Sequence, residues 1–305
     1  MRVQGTVVVL GSVNRDVVAQ VHRLPAPGET LTATAVRAQI GGKGANQAVA
    51  ALRCGADVTL VARTGDDEAG SALRSGLAAT GLDVSRVRAV PGTASGTAYV
   101  TTAAGENVIV LDRGANHAWQ PRGDDPAGDV GQDLDAVRAA AVLVLQLEVP
   151  QDVVRLAALA APGRVVLNAA PSAPLPEEVL ARCDPLVVNQ HELRDLSGEE
   201  HVDTGVRRLL ARGARSVLVT LGAHGARWAD GSGAGFAPAP QVAVVDSTGA
   251  GDAVVGALAS RLARGQRLAG AVPWAVAAAS LSVQRVGTHD SYPAEREVDA
   301  ALRRR

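Results

Sequence analysis

The sequence predicts an α/β fold: a mostly parallel central sheet with helices on both faces, and a small antiparallel β lid projecting from it. Three observations carry that expectation. Short β-branched runs alternate with Ala/Leu/Arg-rich stretches of helical period, the pattern of strands buried on both faces and joined by crossover helices. Two segments break the alternation, with β-like residues and Pro/Gly turns but no room for a helix. The chain has 305 residues, 47% of them hydrophobic, enough for a substantial core.

Along the chain, Thr6–Leu10 (TVVVL) reads as the first strand. Val13–Gln39, punctuated by Pro25, Pro27 and Gly28, supplies the first half of the lid. A helix over about 42–54, the strand Val58–Ala62 and a helix over about 67–80 follow. Thr97–Leu111, turning at Gly105, is the second half of the lid, and Gln120–Gln132, rich in Pro, Gly and Asp, reads as a mobile loop. The strands Ala141–Leu147, Arg164–Asn168, Leu186–Val188 and Ser216–Thr220 are interleaved with helices at about 150–161, 190–197 and 203–212. A β run, Val242–Val245, leads into two helices at about 250–264 and 268–284, whose small residues should let them pack closely on the sheet. The expectation is one domain over 1–305, with its lid built by the insertions at about 13–39 and 97–111.

Thirty basic against 31 acidic side chains give a net charge of −1, which offers no electrostatic footprint for nucleic acid or an anionic membrane. Two thiols, Cys54 and Cys183, make neither a disulfide framework nor a metal cluster. The apolar run Thr6–Leu10 is too short for a signal sequence. Ala269–Val283, broken by Pro273, falls short of a membrane span. A cytoplasmic location is the expectation. Lys43 is the only lysine among 30 basic residues. A GC-rich coding bias accounts for the arginines, and a crowded site that takes a slender point charge but not a planar fork would account for the exception.

Three clusters carry chemistry. Asp246-Ser-Thr-Gly-Ala-Gly-Asp252 stands between the β run and a helix. Glycines at a helix start let backbone amides converge under the positive end of the dipole, forming an anion hole. Taken alone, Asp252 could be only an N-cap. With Asp246 six residues upstream, the loop has the carboxylate and amides that phosphoryl transfer to an alcohol requires. Gly41-Gly-Lys-Gly-Ala-Asn-Gln47 lacks the spacing of a Walker A loop; its glycines, Lys43, Asn46 and Gln47 suit a polyhydroxy ligand. In Gly11-Ser-Val-Asn-Arg-Asp16, Asn14 and Asp16 alternate onto one face and can hold vicinal hydroxyls. Glu148 follows a strand, and Glu192 stands three residues after Asn189. In an open parallel sheet these strand ends share one edge, so residues 14, 148, 189 and 252 should converge.

With those motifs in place, the chain resembles the ribokinase family of sugar kinases, the phosphofructokinase-B type. The likeness runs from LGSVNRD (10–16) through GGKGANQAVAA (41–51), TGDDEAG (64–70), GENVIV and GAN (near 105–116), QLE (146–148), VNQHE (188–192) and TLGAHGA (220–226) to DSTGAGD (246–252). The resemblance implies ATP-dependent phosphorylation of a sugar, and GGKGANQ with NRD implies ribose; deoxyribose, another pentose or a nucleoside are the alternative acceptors. A non-catalytic sugar- or nucleotide-binding regulator is the reading from another class, and the intact Asp252 argues against it.

Carried over, the family pattern makes Asp252 the general base and Gly249, Ala250 and Gly251 the anion hole. Asn14, Asp16, Gly42, Lys43, Asn46 and Glu148 match sugar-binding positions. Asn189 and Glu192 match the NxxE motif that organises Mg2+ and its waters around ATP. Thr220, Gly222, Gly251 and Val276 fall on the nucleotide side. Asp246, Thr248, Ser282, Arg285, Gly287 and Ser291 match a monovalent-cation site, usually K+. The resemblance also implies a homodimer through the lid. Three positions depart from the pattern. Ala253-Val254 replace a usual aromatic, Val276 stands where many relatives carry Asn or His, and Asp290 replaces a usual proline.

Overall fold

The computed structural model describes residues 5–103, 106–119 and 128–304. The strands are β1 (Val7–Leu10), β2 (Asn14–Gln20), β3 (Ala35–Gly41), β4 (Val58–Gly65), β5 (Asp83–Val90), β6 (Gly96–Ala103), β7 (Glu106–Asp112), β8 (Val142–Leu145), β9 (Arg164–Asn168), β10 (Cys183–Asn189), β11 (Ser216–Thr220), β12 (Gly225–Asp230) and β13 (Gly233–Pro238). The helices are α1 (Lys43–Arg53), α2 (Glu68–Ala79), α3 (Gly128–Gly131), α4 (Leu134–Ala139), α5 (Gln151–Ala160), α6 (Glu177–Leu180), α7 (Gln190–Ser197), α8 (Val202–Ala211), α9 (Ala250–Ala263), α10 (Leu268–Ser282) and α11 (Glu295–Arg303).

Nine strands form the main sheet in the order β13-β12-β11-β10-β9-β8-β1-β4-β5. All pair in parallel except β12, which runs antiparallel to both β11 and β13. The period of two decides which core each side chain joins. Val7 and Val9 enter the layer that holds α1, α2, α9, α10 and α11. Val8 and Leu10 enter the opposite layer with α3 to α8. Burial on both faces is why these strands read as continuous apolar runs.

Of the last two helices, expected to pack closely on the sheet, α9 makes its bare contact with a helix, α1. A Cβ on Gly256 of α9 would lie 2.5 Å from the Gln47 carbonyl oxygen and 2.6 Å from Ala50 Cβ on α1. That bare contact brings α1 against the first turn of α9, where Asp252 sits.

The lid is a four-stranded sheet in the order β3-β2-β6-β7. Its β2–β3 and β6–β7 pairs are antiparallel, and the two insertions join through a parallel β2–β6 pairing, Asn14 opposite Gly96. Only residues 11–13 separate β1 from the lid strand β2.

Several features differ from expectation. Val242–Val245 is not a strand; Val244 and Val245 are exposed, and the Val245 and Asp246 amides both donate to the Val283 carbonyl, at 2.7 and 3.1 Å. The segment is tied to the end of α10 instead of a ladder. Of the expected mobile loop Gln120–Gln132, residues 120–127 lie outside the described residues, as does the Gly105 turn, while Gly128–Gly131 is helical. The edge strand β5 and the hairpin β12–β13 were not anticipated. Neither was α11, whose first-turn Glu295 pairs with Arg261 at 3.1 Å.

Candidate active site

The carboxyl ends of the strands and the start of α9 enclose a cavity of about 900 Å³. Asn14, Asp16, Gly42, Lys43, Asn46, Glu148, Glu192, Asp246, Thr248, Gly249 and Asp252 all line it. The expected convergence therefore occurs for residues 14, 148 and 252. Asn189, at the carboxyl end of β10, does not line the cavity itself, although its partner Glu192 does.

Asp252 is not the helix cap. Gly249 takes that position with φ 73°, a left-handed conformation suited to glycine, and leaves Asp252 in the first turn with its carboxylate buried. Asn46 Nδ2 donates to Asp252 Oδ2 at 3.0 Å, and Gln47 Nε2 donates to Oδ1 at 2.8 Å. The leading amides of α9 have no partner within the helix, and the Ala250 amide donates to the Ser247 carbonyl at 3.2 Å. Gln47 itself is fully buried. It also donates to Asn168 Oδ1 at 3.0 Å and accepts from Gln146 Nε2 at 2.7 Å, so it holds Asp252 and does not face a ligand as the motif suggested.

Opposite stand three charged groups. Glu148 accepts from Ser12 Oγ and from the Lys43 amide, the latter at 2.9 Å. Burial pulls the Lys43 ammonium down, but Asp252, Glu148 and Glu192 outweigh it and raise its pKa, keeping it charged. Asp16 is pushed up to about 7, first by burial and then by Glu148 and Asp252, and its Oδ1 is buried without a partner. Gly41 makes room for it, since a Cβ there would lie 2.0 Å from Asp16 Oδ2. Asn14 is oriented by Asn116, whose Nδ2 donates to Asn14 Oδ1 at 2.6 Å while its Oδ1 accepts from the Val13 amide.

Asn189 and Glu192 form a capping box on α7. The Asn189 side chain accepts from the Glu192 amide at 2.9 Å, and Glu192 accepts from the Asn189 amide at 2.8 Å and from Asn189 Nδ2 at 3.0 Å. Asn189 is thereby turned to its own helix, whereas Glu192 also faces the cavity; burial raises the Glu192 pKa.

A second cavity of about 330 Å³ is walled mainly by apolar side chains, with Thr220, Gly222, Ala250, Gly251 and Val276 on its surface. Ser247 and Val244 line both cavities. Among the monovalent-cation positions, the structure joins Asp246, Thr248 and Gly287: Asp246 accepts from the Thr248 and Gly287 amides, each at 2.9 Å. Burial raises the Asp246 pKa, but its hydrogen bonds with Thr248 and Gly287 bring it below the usual carboxylate range. Ser282 and Ser291 donate to the Ala279 and Thr288 carbonyls, and Arg285 pairs with Glu297.

Sequence reasoning missed Ser12, Asn116, Gln146, Asn168 and His289. Each meets the site through a partner 32 or more residues away, so no local spacing marks it.

The chain matches the family model described as pfkB family carbohydrate kinase over residues 4–295. It is 35% identical to a ribokinase of Bacillus subtilis (strain 168), covering 96% of this chain and 98% of that protein. It is 33% identical to a deoxyribokinase of Salmonella typhi, over 94% and 95% of the two chains. Its structure is similar to that of Arabidopsis thaliana ribokinase complexed with ribose and ATP, with a TM-score of 0.89, 32% identity and 98% coverage of both chains.

Proposed function

The chain belongs to the pfkB family of carbohydrate kinases, and on that premise we propose that it transfers the γ-phosphoryl group of ATP to the 5-hydroxyl of D-ribose. One observation carries the reading. The Asp252 carboxylate, in the first turn of α9, faces the same cavity as Asn14, Asp16, Lys43, Asn46 and Glu148.

In this reading Asn14, Asp16, Lys43 and Glu148 hold the sugar hydroxyls. Asp252 takes the proton of the 5-hydroxyl as its oxygen bonds to the γ-phosphorus and the bond to the ADP oxygen breaks. The amides of Gly249, Ala250 and Gly251 face the charge on the transferred group, and Lys43 neutralises it from the sugar side. Thr220, Gly222, Gly251 and Val276 line the second cavity, which takes the nucleoside. The apolar wall at Val276 selects by shape, with few polar groups to read the base.

Among the described residues no group of three or more His, Cys, Asp or Glu could cage a metal. That fits a magnesium ion, which keeps its waters and binds chiefly through phosphates. Glu192 would hold those waters, with Asn189 fixing Glu192 through the capping box, and the ion would supply charge neutralisation on the phosphates. Asp246 with the Thr248 carbonyl and the 282–291 segment, Ser282, Arg285, Gly287 and Ser291 included, is the donor set for K+, which would order the anion loop. The polar contacts that position Asp246 favour this assignment.

We extend the proposal to a homodimer through the lid. Tyr99 and Val110 are cross-strand partners, and Val36 and Val108 share their face, opposite Asn14 and Asp16; all four are exposed. The use of ATP and the two reduced thiols favour the cytoplasm. No helix among the described residues is long and apolar enough to cross a membrane.

The test is consumption of ATP by the purified protein with D-ribose, Mg2+ and K+. Turnover on ribose with O5 as the phosphorylated position supports the proposal, and its absence sinks it. A panel with deoxyribose, other pentoses and nucleosides assigns the acceptor, and light scattering at micromolar concentration checks the dimer.

A further inference from the structure

A carboxylate can only accept, so the amide of Asn46 must present its Nδ2 to Asp252 and its Oδ1 elsewhere. That oxygen meets His289 Nε2 at 3.0 Å. An amide oxygen only accepts, so the ring carries a proton on Nε2 to satisfy this contact. The other oxygen of Asp252 has a parallel arrangement: Gln146 donates to Gln47 Oε1, which leaves Gln47 Nε2 for Asp252. Each amide is thus oriented by a third group, and the Asn46 arm depends on a histidine 243 residues away. The loop that carries His289 is itself tied to the anion loop, through the Gly287 amide on Asp246 and through Tyr292, whose hydroxyl meets the Gly249 carbonyl at 3.4 Å.

We propose that His289 is a positioning residue for phosphoryl transfer: it fixes the Asn46 amide and, through it, the lone pairs of Asp252 toward the sugar hydroxyl. This rests on Asp252 acting as the base. Free rotation of the Asn46 amide would turn its oxygen toward the carboxylate, and the repulsion would move Asp252 out of line with the acceptor. Lys43, Asp16, Glu148 and Tyr292 also surround Asp252, but none of them touches the Asn46 amide oxygen.

The test is steady-state kinetics of the full chain with D-ribose and magnesium ATP, on His289→Leu, His289→Gln, Asn46→Ala and the double variant His289→Leu/Asn46→Ala. His289→Leu is expected to lower kcat about 10–100-fold, the rate equivalent of one hydrogen bond to a charged network, with KM for ATP within about twofold. Glutamine can present an Nε2–H at similar reach and is expected to recover most of that loss. The double variant should be no slower than Asn46→Ala alone, because the two act through one contact.

Wild-type kcat in His289→Leu would overturn the proposal. So would glutamine no better than leucine at equal melting temperature, or losses that multiply in the double variant. If the leucine variant fails to fold, His289→Ser replaces it. Asp252→Asn separates the two readings. Near-normal turnover there removes the base, whereas an inactive Asp252→Asn beside an unaffected His289→Leu refutes the positioning role alone.

Discussion

The two cavities meet at Ser247 and are built on opposite rules. The larger one is wired. Glu148, Asp252 and the amides around them are held by Ser12 after β1, Asn116, Gln146 after β8, Asn168 at the end of β9, α1 and the loop after α10. The smaller one is shaped, with walls that include Val242, Val254, Val276, Ala279 and Val283. Hydrogen-bonded recognition rejects a ligand that lacks the matching group, because buried polar atoms are then left unpaired, whereas an apolar slot discriminates only weakly between ligands of similar shape. Stringency toward the acceptor and tolerance toward the donor are therefore expected in one protein.

The largest effect should come from the wired side. Asp252→Asn is expected to lower kcat by about 10²–10⁴ while sugar binding, followed by calorimetry, remains measurable. Turnover near wild type would remove the central distinction between the cavities. Next is Lys43→Arg, expected to reduce kcat/KM for ribose about 10–100-fold although charge is kept, because a planar fork replaces a slender point charge among Asp252, Glu148 and Glu192. An unchanged value would mean that the pocket is not crowded at that point.

Asp16 offers a pH test. Its pKa is raised from 3.8 to about 7, so the folded state holds this proton over a range in which the unfolded chain has lost it. The associated stability is fully present below about pH 4 and lost as pH rises through about 7. The melting temperature of the wild type should therefore fall from pH 5 to pH 8 relative to Asp16→Asn. The same ionisation supplies an acceptor for sugar hydroxyls, so KM for ribose should fall over that range. Parallel melting curves for the two proteins would contradict it. The smallest effect belongs to the shaped side: kcat/KM for ATP and GTP should lie within about tenfold, and a much larger preference would reveal a polar base contact.

What the sequence discloses follows the same division between local and distant. Glycine-rich loops between a strand and a helix are local, so Gly41–Gln47 and Asp246–Asp252 could be read, and alternation placed Asn14 and Asp16 on one face. The five helper residues could not be read, because each is defined by a partner brought near only by the sheet. Asn189 and Glu192 show how one spacing can carry two meanings. Asn-x-x-Glu before a helix is a capping box by its own chemistry, and only Glu192 also reaches the cavity. Val242–Val245 has strand composition, but its backbone bonds go to the end of α10, and tertiary contact overrides propensity. The hairpin β12–β13 is made largely of glycine and alanine (GARWAD, GAGFAP), which gave no β-branched signal.

The short connection between β1 and β2 has a consequence beyond geometry. Asn14 and Asp16 stand on the lid and Asp252 on the body, so under the proposed function sugar binding and lid position are linked. Any molecule that favours one setting of the lid by contact with its outer face must change sugar affinity by the factor that sugar changes the affinity of that contact. If two lids pair, occupancy of the sugar site becomes readable as a shift in the monomer–dimer equilibrium.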